Sequence, residues 1–260
     1  VVDDRRSRSN ERRPRSGSNG MPRHSGPGRA RPAQPHADAA SVGPPIPADV
    51  EARQLAPDVR RELSTLDRAT ADAVARHLVA AGGLLDEDPE AALSHARAAR
   101  ARASRIAAVR EAVGIAAYHC GDWGQALAEF RAARRMGSKS PLLALIADCE
   151  RGLGRPQRAI DLARGPEAAE LSGDDADELR IVAAGARADL GQLEQALTIL
   201  STPQLDPART GSTAARLFYA YAETLLALGR GEEALQWFLR SAAADTDGIT
   251  DAEDRVSELG

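Results

Sequence analysis

The sequence predicts an all-α chain of about five stacked helical hairpins, preceded by a capping helix and closed by a short C-terminal helix. Three observations carry this prediction. A small residue recurs at the same point of a helix-turn-helix at Ala92, Ala126, Ala159, Ala196 and Ala234, with spacings of 34, 33, 37 and 38 residues. A near-constant period of that length marks stacked hairpins rather than one enclosed core. Aromatic residues make up only 3% of the 260 residues, and an apolar set dominated by alanine, leucine and valine packs helices closely while lacking what a sheet needs. No period-two alternation of useful length occurs along the chain, which argues the same way.

The elements follow in order. Residues 1–46 are rich in Arg, Pro, Gly and Ser and nearly free of large apolar side chains; such a segment buries too little surface to offset ordering its backbone, so a disordered tail is expected. Residues 47–260 form the expected helical repeat domain. Its lead-in helix, 48–66, places Val59, Leu63 and Leu66 at helical spacing after Pro57 and is expected to cover the apolar flank that an array leaves at its end. The repeats occupy about 69–245. The first unit lacks a turn glycine but offers Asp88 as a cap and Pro89 at the first helical position. In the second, Arg105 to Gly137, Gly121 suits a left-handed residue past the first helix, Asp122 suits an N-cap, and Gln125 completes a capping box. Trp123, Ala126, Phe130 and Ala133 then share one helical face. The third unit keeps register through Gly154 and Ala159, and the fourth through Gly191, Leu193, Ala196 and Leu200. A capping box of Thr250 and Glu253 is expected to open the last helix, 250–259.

Val113, Gly114, Ala117, Gly121, Ala126 and Phe130 follow a Leu-Gly-like pair, a small residue, a turn glycine and Ala-x-x-x-Phe, and on these residues the second unit resembles the tetratricopeptide repeat (TPR) family. The last unit is similar through Phe218, Ala222, Gly229, Ala234 and Phe238. With its Arg-rich tail, the whole chain resembles an uncharacterised group of actinobacterial TPR proteins. The resemblance implies a right-handed α-solenoid that acts as a non-enzymatic protein-protein interaction scaffold. In this family the first helix of each hairpin lines a concave groove, which here would be lined by His77, Glu111, Tyr118, His119, Asp148, Arg151, Tyr219 and Glu223. A peptide or helix of a protein partner is the expected occupant, since tyrosines offer rigid contact area with a polar tip. Members that grip a C-terminal carboxylate use paired Lys and Asn; the matching places here hold Ala144, Asp148, Ile181 and Gly185, which argues against that ligand.

Charge is divided unevenly. Residues 1–37 carry nine arginines, Arg5, Arg6, Arg8, Arg12, Arg13, Arg15, Arg23, Arg29 and Arg31, against Asp3, Asp4 and Glu11, on a chain of formal net charge −4. A basic arm on an acidic body supports an alternative partner, RNA or the ribosome, contacted through phosphates. Arginines cluster again at Arg97, Arg100, Arg102, Arg105 and Arg110 and at Arg131, Arg134 and Arg135, read as a solvated face ahead of a binding patch. Cys120 and Cys149 have no metal-ligand spacing, and both are expected to be reduced packing residues. No pair of histidines at a spacing that would converge on a metal, no phosphate-cradling loop and no nucleophile motif appears; neither a cofactor, a metal nor an enzymatic activity is expected. The stretch Asp245 to Glu253 has part of a calcium-loop pattern without its terminal acidic ligand, and a turn followed by a cap is expected instead. No apolar run is long enough to span a bilayer and no signal-peptide core is evident, so a cytoplasmic location without membrane contact is expected.

Overall fold

A computed structural model describes residues 43–201 and 205–260; residues 1–42, which hold most of the expected tail and all nine of its arginines, lie outside the described residues, as do 202–204. Among the described residues there are twelve α-helices, two short 3-10 helices and no strand. In chain order these are η1 (Ala52–Gln54), α1 (Pro57–Leu63), α2 (Arg68–Leu84), α3 (Pro89–Arg102), α4 (Ala107–His119), α5 (Trp123–Arg135), α6 (Leu143–Gly152), α7 (Pro156–Ala163), η2 (Pro166–Glu170), α8 (Gly173–Asp189), α9 (Leu193–Leu200), α10 (Ser212–Ala227), α11 (Gly231–Ala244) and α12 (Ala252–Leu259).

The helices pair as hairpins, α2 with α3, α4 with α5, α6 with α7, α8 with α9 and α10 with α11, and each second helix also packs on the first helix of the next unit. This is an α-solenoid of five TPR-like hairpins. The periodic alanines explain the spacing of the rods: Ala92, Ala126, Ala159, Ala196 and Ala234 are all 0% exposed, and a side chain of one carbon lets two backbones approach closely. Large side chains fit only where the facing position is smaller still. Phe130 on α5 is fully buried, and a Cβ placed on Gly114 of α4 would come within 2.6 Å of its ring.

The turns inside the hairpins repeat one geometry. Gly121, Gly154, Gly191 and Gly229 have φ of 70°, 70°, 71° and 77°, the left-handed region that a side chain penalises. After each, the next amide donates back into the first helix: Asp122 to Ala117 O, Arg155 to Glu150 O, Gln192 to Arg187 O and Arg230 to Leu225 O, all at 2.9 Å. These are Schellman closures, which satisfy carbonyls that a helix end leaves open. The first hairpin reverses without glycine, and Asp88 Oδ1 accepts from the Ala91 amide at 2.9 Å. Asp122 caps α5 likewise through the Gln125 amide at 3.0 Å. The Gln125 side chain, however, does not complete a box; its carbonyl oxygen accepts from Arg97.

The wider spacings have a structural source. The 37-residue step from Ala159 to Ala196 contains η2, and the 38-residue step from Ala196 to Ala234 contains the long link between α9 and α10. The lead-in is divided into η1 and α1, because Ala56 precedes Pro57 and takes ψ of 141°, as a residue before proline does. Leu63, Val74, Leu78, Ala99 and Val109 bury the flank of the first hairpin beneath it. At the other end Asp251, not Thr250, is the N-cap of α12. The Thr250 hydroxyl donates to Asp245 instead, whose carboxylate also accepts from the Ile249 and Thr250 amides at 2.9 and 2.7 Å. Asp245 therefore closes the turn between α11 and α12.

Replacing Phe130 by alanine empties a fully buried site facing Gly114 and should cost about 3–5 kcal/mol. Urea unfolding followed by circular dichroism measures it, and an unchanged midpoint would contradict the packing described.

Candidate partner-binding face

The first helices of successive hairpins are joined by polar bridges that run along one face. The Tyr118 hydroxyl of α4 donates to Asp148 of α6. Arg151 of α6 donates to both carboxylate oxygens of Asp189 on α8, at 2.8 and 3.2 Å, and to Asp148 on its own helix at 2.8 Å. Arg216 of α10 reaches Glu178 of α8. Arg255 of α12 donates to Glu223 of α10 at 2.8 and 3.0 Å and to Glu258 at 2.6 Å. By these bridges α12 occupies the place of a sixth first helix.

Glycines make two of these contacts possible. A Cβ on Gly185 of α8 would come within 2.7 Å of the Arg151 guanidinium carbon, so the guanidinium lies flat against α8 where a larger residue would displace it. A Cβ on Gly152 would come within 2.5 Å of the Trp123 ring, so the indole rests against bare backbone. Trp123 meets Tyr118 edge-on, with centroids 5.1 Å apart. Together Trp123, Asp148, Arg151, Gly152, Gly154, Pro156 and Asp189 enclose a cleft of about 500 Å³. Farther along, Tyr219 meets Phe238 edge-on at 5.3 Å, and the Arg255 guanidinium lies 5.5 Å from the same Phe238 ring. Burial, and then the Asp148 carboxylate it serves, raise the pKa of Tyr118; burial followed by a hydrogen bond to Asp251 does the same for Tyr219. Both phenols are thus held as neutral donors.

Each residue that the resemblance assigned to the groove can now be placed. Tyr118, Asp148 and Arg151 are brought together around one cleft, and Tyr219 and Glu223 stand together beside α12. His119 is exposed at the end of α4. Glu111, near the start of the same helix, accepts from the Ser140 hydroxyl at 2.8 Å. His77 is buried and faces His95 on α3. Trp123, Asp189, Asp251 and Arg255 complete the face, although sequence reasoning did not assign them to it. Trp123 was legible only as packing, and the other three stand at helix ends or in the closing helix, outside the repeat pattern.

Several arginines of the array are tied into the fold. Arg100 of α3 and Arg110 of α4 both engage Glu129, a buried carboxylate on α5. Arg131 of α5 pairs at 2.7 Å with Glu150 of α6, which is 0% exposed and also accepts from Arg155. Arg134 engages Glu167, and Arg102 donates to the Ala98 carbonyl at 3.0 Å. A buried carboxylate needs such partners, since desolvating it alone is costly. The thiol of Cys149 is buried, and burial pushes its pKa up to about 12, so it stays protonated as a packing residue.

No family model matches the chain, and no curated protein does. Among solved structures, the chain is similar to YrrB, described as "a TPR protein with an unusual peptide-binding site", at a TM-score of 0.44 and 21% identity, over 74% of this chain and 94% of that one. No helix among the described residues is long and apolar enough to cross a membrane.

The Arg100, Arg110 and Glu129 cluster sorts its variants by sign. Removing both arginines strands a buried carboxylate and should cost about 3–5 kcal/mol, whereas Glu129→Leu, which removes the charge and fills its volume, should cost far less. Denaturant midpoints of the two variants give the comparison, and equal losses would refute a clamped carboxylate.

Proposed function

We propose that this protein is a non-catalytic protein-interaction scaffold that holds a peptide or helix of another protein along its first-helix face. The observation that carries the reading is the bridged face itself, whose aromatic rings and carboxylates are fixed by contacts within the array before any partner arrives. A face ordered in advance loses less side-chain entropy on binding. Because the tips of Tyr118, Asp148, Arg151 and Glu223 are already engaged, a partner meets ring faces and the remaining carboxylate lone pairs. The cleft beside Trp123 has room for a side chain, and aromatic walls of this kind act as anchors at interfaces. The chemistry of the face supports contact rather than turnover: its titratable groups are joined in structural bridges, with no nucleophile set beside a base.

Selection of binders from a random peptide library on the full chain, followed by affinity measurement, tests the proposal. The selected peptides should lose at least tenfold in affinity when Tyr118→Ala and Tyr219→Ala are combined, with helical content retained, and should be indifferent to Arg135→Ala on the opposite side of the hairpin. Equal affinity for the tyrosine variant would show that the first-helix face is not the operative surface.

A further inference from the structure

The first hairpin contains a pair of titratable groups that have no counter-charge among the described residues. His77 of α2 and His95 of α3 are 3% and 4% exposed. Their Nδ1 atoms lie 3.0 Å apart and the ring planes are inclined at 50°. One ring donates and the other accepts, which requires the accepting ring to be neutral; a proton on both Nδ1 atoms would set donor against donor. Among the described residues neither ring has a carboxylate partner.

The charged groups that act on His77 from the surrounding elements are cationic, and several nearby carboxylates are engaged elsewhere. Arg76 on α2 and Arg102 on α3 stand near the pair and oppose a third positive charge. On α4, Arg110 serves Glu129 and Glu111 accepts from Ser140. On α1, Glu62 accepts from the Ala108 amide at 3.1 Å, and beside η1 Glu51 pairs with Arg53. Burial, followed by Arg102, His95 and Arg76, holds the pKa of His77 down at about 4, and burial lowers that of His95.

A strap of chain passes over His77. Gly43 lies so close that a Cβ on it would overlap the Ala98 methyl and stand 3.2 Å from His77 Cε1 and 3.5 Å from its Nε2. Pro44, Ile46 and Val50 are half-buried along the same segment. Its far end is fastened by Arg76, whose Nε donates to the Val50 carbonyl at 2.9 Å.

We propose that the His77–His95 pair is a proton-operated latch for the strap formed by residues 43–50: the strap lies closed while both rings are neutral and opens when a proton charges the pair. The positive charge would sit in a dry site between two arginines, and hydration by lifting the strap relieves it. The sign follows from linkage. A histidine whose pKa is depressed by folding stabilises the closed state fully above its unfolded value of 6.5 and loses that contribution as pH falls from there toward about 4. For His77 alone this multiplies the opening equilibrium by about thirtyfold between pH 7.5 and pH 5. The inference does not depend on what the first-helix face binds.

The test uses the full chain. Titration of the assigned imidazole nitrogens by NMR should show both rings neutral at pH 6 and charging only in step with loss of amide protection at Val50, Gln54 and Leu55, which bond to the carbonyls of Pro47, Glu51 and Ala52. Protection factors at these amides, corrected for the intrinsic effect of pH on exchange, should fall about thirtyfold or more by pH 5. Combining His77→Gln with His95→Gln, which keeps hydrogen-bonding capacity without a titrating ring, should make them independent of pH over that range. Rings that charge near pH 6.5 while the strap stays protected would overturn the latch, as would the same acid-induced opening in the double variant. The wild-type titration decides the matter even if the double variant is unstable.

Discussion

Close approach of helix backbones at the periodic alanines is the constraint on which the remaining structure depends. Where one methyl separates two rods, neighbouring side chains are brought into dense contact, and many small dispersion gains accumulate. The same closeness limits what fits elsewhere. Phe130 is accommodated because Gly114 faces it, and Phe238 beside Ala222 repeats the solution in the last hairpin. A chain with so few aromatic residues can still build a dry core in this way, because each hairpin needs to cover only its neighbours.

Helices held this closely leave their polar residues little freedom about where to go. Carboxylates such as Glu129, Glu150 and Asp177 are buried between units, and arginines from adjoining elements reach in to meet them. Such pairs gain little net stability over an apolar filling, because both charges lose water. What they supply is register: Arg131 finds Glu150 only if the second and third hairpins are stacked in the observed position. On the first-helix face the bridges from α4 through α12 act alike, and they fix the side chains of that face in place.

The pair of histidines in the first hairpin departs from this pattern. The buried carboxylates Glu129, Glu150 and Asp177 meet arginines, whereas His77 and His95 have each other. Their hydrogen bond is lost once both Nδ1 atoms carry a proton. It also lies at the point where the described chain enters the array, under Gly43, so a change of charge there acts on the attachment of residues 43–50 rather than on the stacked units beyond.

Much of the fold was legible in the sequence because periodicity, turn glycines and caps are local properties. The alanine spacing located all five hairpins, Gly121 and its equivalents located four of their reversals, and Asp88 and Asp122 are the caps their positions implied. The short helices η1 and η2, and the shift of the α12 cap from Thr250 to Asp251, depended on neighbouring backbone and were not legible. The candidate site was read only in part for a related reason. A helical register says which side of its own helix a residue occupies, so Tyr118, Asp148 and Arg151 were assigned to one face. It does not say what stands across a gap of thirty or forty residues. Only tertiary packing turned His77 inward to meet His95, laid Arg151 on Gly185, and set Arg100, Arg110 and Arg131 as clamps on buried carboxylates. The sequence by itself therefore determined the repeating unit, through short-range sterics and hydrophobic period; the partners of its charges were decided by the stacking, because electrostatic contacts are set by distance in space.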